Sequence, residues 1–334
     1  MKSSAVFQPI SARLGDSDIA GHWQTDLKLF WQSMQSGVLI SADRLTLQYY
    51  FYRVPNARNA IVISSGRMEM AQKYAELSAE LVHAGYSVFI MDHRGQGLSQ
   101  RELANPDKGY VSDFSVYQQD FAQFIHQVVL PSEHQNHIAL GHSMGCAILA
   151  GYLQTHPHPF CAAILASPMF GIYTGLVPAS LAESLALAFG AINRNISQQS
   201  WYFPGQADYT EKAFANNPLT NCEARYHWTQ QLYREQPKSR LGGVTSTWVY
   251  AAVHAMRQLQ REAGNWHLPV LILQAGADKV VSNYAQNKWF EQLHPEVLHH
   301  KVTLQDAKHE IFMEQDNIRH DAINAINSFL AQLS

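Results

Sequence analysis

The segment His137-Ile138-Ala139-Leu140-Gly141-His142-Ser143-Met144-Gly145-Cys146-Ala147-Ile148-Leu149 decides how this chain folds. Its first four residues read as a short buried strand, and the run from Cys146 to Leu153 reads as the start of a helix. Between them, Gly141 to Gly145 spell Gly-x-Ser-x-Gly. In a strand–turn–helix setting that pattern is the signature of a nucleophile elbow. A serine on so tight a turn holds a strained backbone conformation, and the flanking glycines remove side chains that would collide with the neighbouring strand and helix. The Ser143 hydroxyl then stands at a helix N-terminus, where developing negative charge is favoured.

Outward from the elbow, strands alternate with helices. Leu39-Ile40 and Leu45 to Tyr52 read as paired strands around a Ser-Ala-Asp turn. Ala60 to Ser64 and Ser87 to Asp92 are buried strands by their apolar, β-branched content, separated by a helix from about Tyr74 to Ala84 that stops at Gly85. Cys161 to Ala166, Pro269 to Gln274 and Lys301 to Leu304 are further strands. Ser282 to Leu293 reads as a helix, and a final helix carries Ile318, Ile323, Ile326, Phe329, Leu330 and Leu333 at near-helical spacing. This alternation predicts an α/β fold with a mostly parallel central sheet covered by helices on both faces. From Pro168 to about Gly264 no clear strand occurs, and the stretch is too long for a plain connection. The expected organisation is an N-terminal helical extension over 1–36, with an apolar face of Trp23, Leu27, Phe30 and Trp31. An α/β core follows over 37–167 and 265–334, with an inserted helical cap over 168–264.

Composition bounds the function classes. The 334 residues are 46% hydrophobic and 15% charged, which suits a globular chain with ample core. A net charge of −3 offers no basic surface for nucleic acid. Cys146, Cys161 and Cys222 are scattered and fit neither a disulfide framework nor a metal site; reduced thiols in the cytoplasm are the simpler expectation. Met1 to Pro9 lacks the continuous apolar region of a secretory leader. The longest apolar-rich stretch, Leu176 to Ile192, is broken by Pro178, Ser180, Glu183 and Ser184, so no transmembrane span is expected.

A serine hydroxyl is a poor nucleophile at neutral pH and needs a base, which in turn needs an orienting acid. After an elbow, acid and base follow in the order Ser, Asp or Glu, His. Asp278, in the loop after the 269–274 strand, is the candidate acid, and His309, after the last strand, the candidate base. Strand C-terminal ends collect at one edge of a parallel sheet, which places all three at the same edge. Asp306 is the rival acid, and Glu310 adjoins His309 too closely to face its ring. Two backbone amides should hold the oxyanion. One is that of Met144. The other comes from Ser65-Gly66-Arg67-Met68-Glu69, with Arg67 the favoured donor. The Arg67 guanidinium is expected either to meet an anionic substrate group or to pair with Glu69 at the surface. Asp92-His93-Arg94-Gly95-Gln96-Gly97-Leu98-Ser99 lacks the third glycine of a dinucleotide fingerprint and reads as a structural turn beside the site.

With these residues placed, the chain resembles α/β-hydrolases of the monoglyceride lipase and bacterial lysophospholipase family, and most the inner-membrane-associated lysophospholipases of Gram-negative bacteria. The resemblance spans nearly the whole chain. Ser65 to Glu69 with Lys73 to Leu77, Met91 to Ser99 and Gly141 to Gly145 carry it. In the cap, so do Asn217-Pro218-Leu219-Thr220, Arg225-Tyr226, Gly242-Gly243-Val244-Thr245 and Trp248. It implies a Ser143, Asp278 and His309 triad, with Arg67 and Met144 as oxyanion donors. It further implies cleavage of the acyl ester of a lysophospholipid or monoacylglycerol through an acyl-enzyme, with no metal or organic cofactor. Two departures bear on substrate choice: Ser65-Gly66 stands where these lipases carry His-Gly, and Gly242-Gly243-Val244 where the lysophospholipases carry Gly-Gly-Pro. The run Phe170, Ile172, Tyr173, Leu176, Val177, Leu181, Leu185, Leu187 and Phe189 is expected to pack the cap, line an acyl tunnel or touch a bilayer peripherally, at the inner membrane. Alternatives are a small-ester carboxylesterase, an aminopeptidase gripping an amino terminus with Glu183, Glu211 or Glu223, and a non-catalytic lipid-binding relative.

Overall fold

The computed structural model describes residues 6–12, 15 and 19–333. At its centre lies an eight-stranded sheet in the spatial order β1-β2-β4-β3-β5-β6-β7-β8. β1 (Gln35–Ile40) pairs antiparallel with β2 (Thr46–Tyr52), which pairs antiparallel with β4 (Ser87–Met91). From β4 onward every pairing is parallel, through β3 (Asn59–Ser64), β5 (Asn136–His142), β6 (Phe160–Ala166), β7 (Val270–Ala275) and β8 (His299–Leu304). The expected mostly parallel sheet is present.

The described α-helices are α1 (Ile19–His22), α2 (Lys28–Ser33), α3 (Ala75–His83), α4 (Phe114–Phe124), α5 (Met144–Thr155), α6 (Ala179–Ile196), α7 (Glu223–Glu235), α8 (Ser246–Arg261), α9 (Asn283–Phe290) and α10 (Asp316–Ala331). Every residue of β3, β4 and β7 is buried, so alternate side chains serve two separate cores. Val62, Phe89, Ala139, Leu165 and Ile272 share one with α4, α5, α8 and α9. Ile61, Ile63, Ile90, Leu140, Ile164 and Leu273 share the other with α3 and α10. Each Val, Leu, Ile or Phe among them contributes about 1.5–3 kcal/mol on full burial. That is why the continuous β-branched runs become the inner strands.

The N-terminal extension departs from the helical expectation. Residues 1–5, 13–14 and 16–18 of it lie outside the described residues. Residues 6–12 are not helical: Asn327 takes both backbone groups of Ile10, at 2.8 and 2.7 Å. Gln35 and Ser36 already belong to β1, opposite Phe51 and Tyr50. The helical part, α1, a wider turn over Trp23–Leu27, and α2, buries Trp23 and Leu27 against Trp228 and Leu232 of α7.

Between β6 and β7 come α6, α7 and α8. α7 is tied to the sheet layers by Arg225, which bonds Glu76 of α3 at 2.9 and 2.8 Å and Asp316 of α10 at 2.8 Å. α8 joins the first core through Trp248, Ala252, Met256 and Leu259. α6 packs on α8 and leaves its outer face exposed.

Candidate active site

β5 ends at His142, and the chain reverses into α5 at Ser143, whose φ of 53° and ψ of −117° no L-residue adopts without strain. The glycines make this turn possible. A Cβ on Gly145 would lie 2.0 Å from the main-chain oxygen of Ser64, and one on Gly141 would lie 3.0 Å from Cys146 Cα. The turn is pinned to β6, where Ser143 N donates to Ala166 O at 3.0 Å.

The structure brings the three side chains singled out in the sequence into contact. His309 Nε2 lies 2.8 Å from Ser143 Oγ, and His309 Nδ1 lies 2.8 Å from Asp278 Oδ2. All three residues are buried. Asp278 is itself fixed, since its Oδ1 accepts from the amides of Val280 at 2.7 Å and Val281 at 3.1 Å. An ionised carboxylate only accepts, so Nδ1 carries the proton and Nε2 presents its lone pair to the serine hydroxyl. Asp306, the rival acid, is exposed, and the ring nitrogen that needs an acid is taken by Asp278. Glu310 faces Lys73 instead, at 2.6 Å.

In the loop after β3, the Gly66 amide is taken by Glu69, and the Met68 amide by Gln96 Oε1 at 2.9 Å. Among the described residues the Arg67 amide between them donates to no protein acceptor. Met144 opens α5, where an amide has no acceptor within its own helix. Gln96, within the Asp92–Ser99 turn, clamps this loop at both ends, its Nε2 donating to Gly66 O at 3.0 Å. No local pattern marks that role.

The Arg67 side chain does not pair with Glu69. It donates to Gly242 O at 3.0 Å and Met68 Sδ at 2.9 Å, over the Trp248 ring, and burial pulls its pKa down to about 10. Glu69 pairs with Lys73 at 2.9 Å. Burial opposes ionisation of Glu69, but Lys73 and His142 outweigh it and hold the carboxyl well below its usual range.

A cavity of about 250 Å³ opens on Ser143 and His309, with Tyr209, Lys212, Tyr226 and Tyr233 from the segment between β6 and β7 also lining it. None of the nine apolar residues from Phe170 to Phe189 lines it. Phe170 is buried against Trp289, Leu187 packs on the core, and Phe189 meets Trp201 and Phe203. Ile172, Tyr173, Leu176, Val177, Leu181 and Leu185 are exposed.

Residues 55–316 match the family model described as serine aminopeptidase, S33. Lysophospholipase L2 of Escherichia coli K12 is 34% identical over 304 residues, covering 90% of this chain and 88% of its own. The probable lysophospholipase L2 of Haemophilus influenzae is 31% identical over 307 residues, covering 91% and 95%. Among solved structures, a soluble variant of monoglyceride lipase from Saccharomyces cerevisiae superposes with a TM-score of 0.69 at 18% identity, over 90% of this chain and 97% of that one. The chain therefore belongs to the serine aminopeptidase S33 family of α/β-hydrolases, the family of monoglyceride lipases and bacterial lysophospholipases.

Proposed function

We propose that the chain is a carboxylic ester hydrolase that cleaves the acyl ester of a lysophospholipid or monoacylglycerol through an acyl-enzyme. The observation that carries this is the hydrogen-bonded relay Asp278–His309–Ser143 opening on a cavity. The relatives named lysophospholipase and monoglyceride lipase support it. As Ser143 Oγ attacks the ester carbonyl, His309 Nε2 takes its proton, and Asp278 stabilises the imidazolium. The Arg67 and Met144 amides hold the oxyanion. His309 returns the proton to the leaving alcohol, and water then cleaves the acyl-enzyme by the same route.

Charge favours the lysophospholipid. Two acids line the cavity, Glu69 and Glu310, and they share Lys73, while Arg67 and Lys212 add two further cations to the same lining. Lys212 has no ion-pair partner among the described residues, and Arg67 donates to uncharged acceptors. Three cations thus face two carboxylates, and the surplus charge is positive, which suits a phosphodiester. A monoacylglycerol carries no charge to meet it. Lys212→Glu is expected to lower kcat/KM for a lysophospholipid about tenfold, and to change a monoacylglycerol of the same acyl chain by less than about twofold. Equal losses on both substrates would remove the phosphate from the reading.

An aminopeptidase needs a free carboxylate for the substrate ammonium. Glu183, Glu211 and Glu223 pair with Arg257, Arg234 and His227, and none lines the cavity. Aminoacyl amides and short p-nitrophenyl esters, assayed beside the lipids, test that alternative.

Residues 168–264 serve in this reading as the cap over a core of 37–167 and 265–334, with 1–36 as an extension. The cavity between Ser143 and Tyr209, Lys212 and Tyr226 supports that division. The outer face of α6 shows Leu181, Leu185, Ile192 and Ile196 in an exposed stripe, next to Leu176 and Val177. Among the described residues no helix is long and apolar enough to cross a membrane. This stripe is therefore assigned to peripheral contact with a bilayer, on the cytoplasmic side of the inner membrane, in keeping with three free cysteines. Wild-type protein is expected to float with lysophospholipid-containing vesicles, and Leu181→Glu/Leu185→Glu to stay at the bottom of the gradient. A wild type that does not float removes the assignment.

A further inference from the structure

His142 is buried at the elbow yet has no part in the relay. Both of its ring nitrogens face oxygens that only accept. Nδ1 lies 3.2 and 3.3 Å from the two carboxylate oxygens of Glu69, and Nε2 lies 3.1 Å from the main-chain oxygen of His309. A neutral imidazole has one N–H, so one nitrogen would set its lone pair against an oxygen. Glu69 has no proton to offer, because its carboxylate already accepts from Lys73 Nζ at 2.9 Å, Tyr74 OH at 2.6 Å and the Gly66 amide.

The charge count leads to the same place. Glu69, Lys73 and Tyr74 approach His142 from the segment after β3, and His309 and Glu310 from the loop after β8. Cys146 of α5 points away, its thiol donating to Ala166 O at 3.4 Å. Two buried carboxylates and one ammonium leave a net negative charge, and buried charges persist when matched. A second cation at His142 closes the cluster.

We propose that His142 stands as an imidazolium donating from both ring nitrogens, and that it is a positioning residue holding the main chain of His309, and so its ring, against Ser143. This rests on the reading of Ser143 and His309 as nucleophile and base. The His309 carbonyl also accepts from Ser167 Oγ at 2.7 Å, so two donors fix one oxygen. The adjoining Glu310 amide is held by Leu219 O at 2.8 Å. Burial disfavours charge on His142, but Glu69 outweighs it and raises its pKa above 6.5. For a raised histidine the contribution is complete below its ordinary value and is lost as pH rises through the folded one. Positioning therefore fails on the alkaline side.

The test is long-range proton–nitrogen NMR of protein labelled with nitrogen-15 histidine, together with pH profiles of kcat. At neutral pH one imidazole, identified by its loss in His142→Gln, is expected to show both nitrogens protonated. His142→Gln should lower kcat about 10- to 100-fold, with KM within about threefold. Glu69→Gln, which leaves the Lys73–Glu310 pair in place, should make His142 neutral and move the alkaline limb of kcat to lower pH. A single protonated nitrogen on His142 in wild type, or an unmoved limb in Glu69→Gln, overturns the proposal. Fluorophosphonate labelling at Ser143 separates the two levels. Its absence sinks the hydrolase reading, whereas labelling with a neutral His142 sinks only the imidazolium.

Discussion

Ser143→Ala is expected to lose about four to six orders of magnitude in ester turnover while keeping the wild-type fold. The hydroxyl is the atom that His309 Nε2 meets at 2.8 Å, and under the proposed mechanism its removal leaves the base, acid and oxyanion amides with nothing to activate. Residual catalysis then comes from binding and the oxyanion amides alone, about three to four orders above water. Fluorophosphonate labelling should vanish in parallel. A non-catalytic lipid binder would instead show no turnover to lose and no labelling in the wild type. Because Ser143 sits at a φ of 53°, the alanine keeps the strain and Ser143→Gly relieves it. The glycine variant is expected to gain about 1–3 kcal/mol of stability, read as a higher unfolding midpoint by calorimetry. An alanine variant retaining a tenth of wild-type turnover would end the assignment of the nucleophile.

How much of this could be read from the chain depends on how local each cause is. The elbow is legible because its signature lies within five residues: Gly141 is demanded by the helix that follows it, at Cys146, and Gly145 by the backbone of Ser64 and Ser65 at the end of the neighbouring strand β3. The inner strands are legible because β-branched runs buried on both faces have few other homes. Order along the chain, with the rule that parallel strands gather their C-terminal loops at one edge, is enough to nominate Asp278 and His309. Contacts between distant loops leave no such mark. Lys73 meets Glu310 across the site, Gln96 grips the loop of Arg67, and Arg67 turns to Gly242 rather than Glu69. The apolar run from Phe170 to Phe189 offers the same letters for a tunnel, a packed cap or a wetted face. Only the position of α6 distinguishes them. At the N-terminus a helical pattern ends early because Gln35 and Ser36 find strand partners that periodicity does not reveal.

Asp278→Asn should be nearly as damaging as loss of the serine, and for a reason set by two backbone amides. Val280 N and Val281 N both donate to Oδ1, at 2.7 and 3.1 Å, so that position requires an acceptor. An asparagine must turn its carbonyl oxygen there, because its NH2 would face two donors. The NH2 is then left opposite His309 Nδ1, where Oδ2 stood at 2.8 Å. Against that donor the imidazole must offer a lone pair at Nδ1, which moves its proton to Nε2. The ring now points N–H at Ser143 Oγ and can no longer take the serine proton. Turnover is expected to fall about 10⁴-fold, with KM little changed and the unfolding midpoint within a few degrees of wild type. Nitrogen-15 spectra of His309 should show the proton exchanged from Nδ1 to Nε2. Asp278→Ala, which leaves the tautomer free to choose, should therefore be less impaired than the near-isosteric asparagine. If the asparagine variant proves the more active of the two, Asp278 does not govern the tautomer of His309, and the acid of this site lies elsewhere.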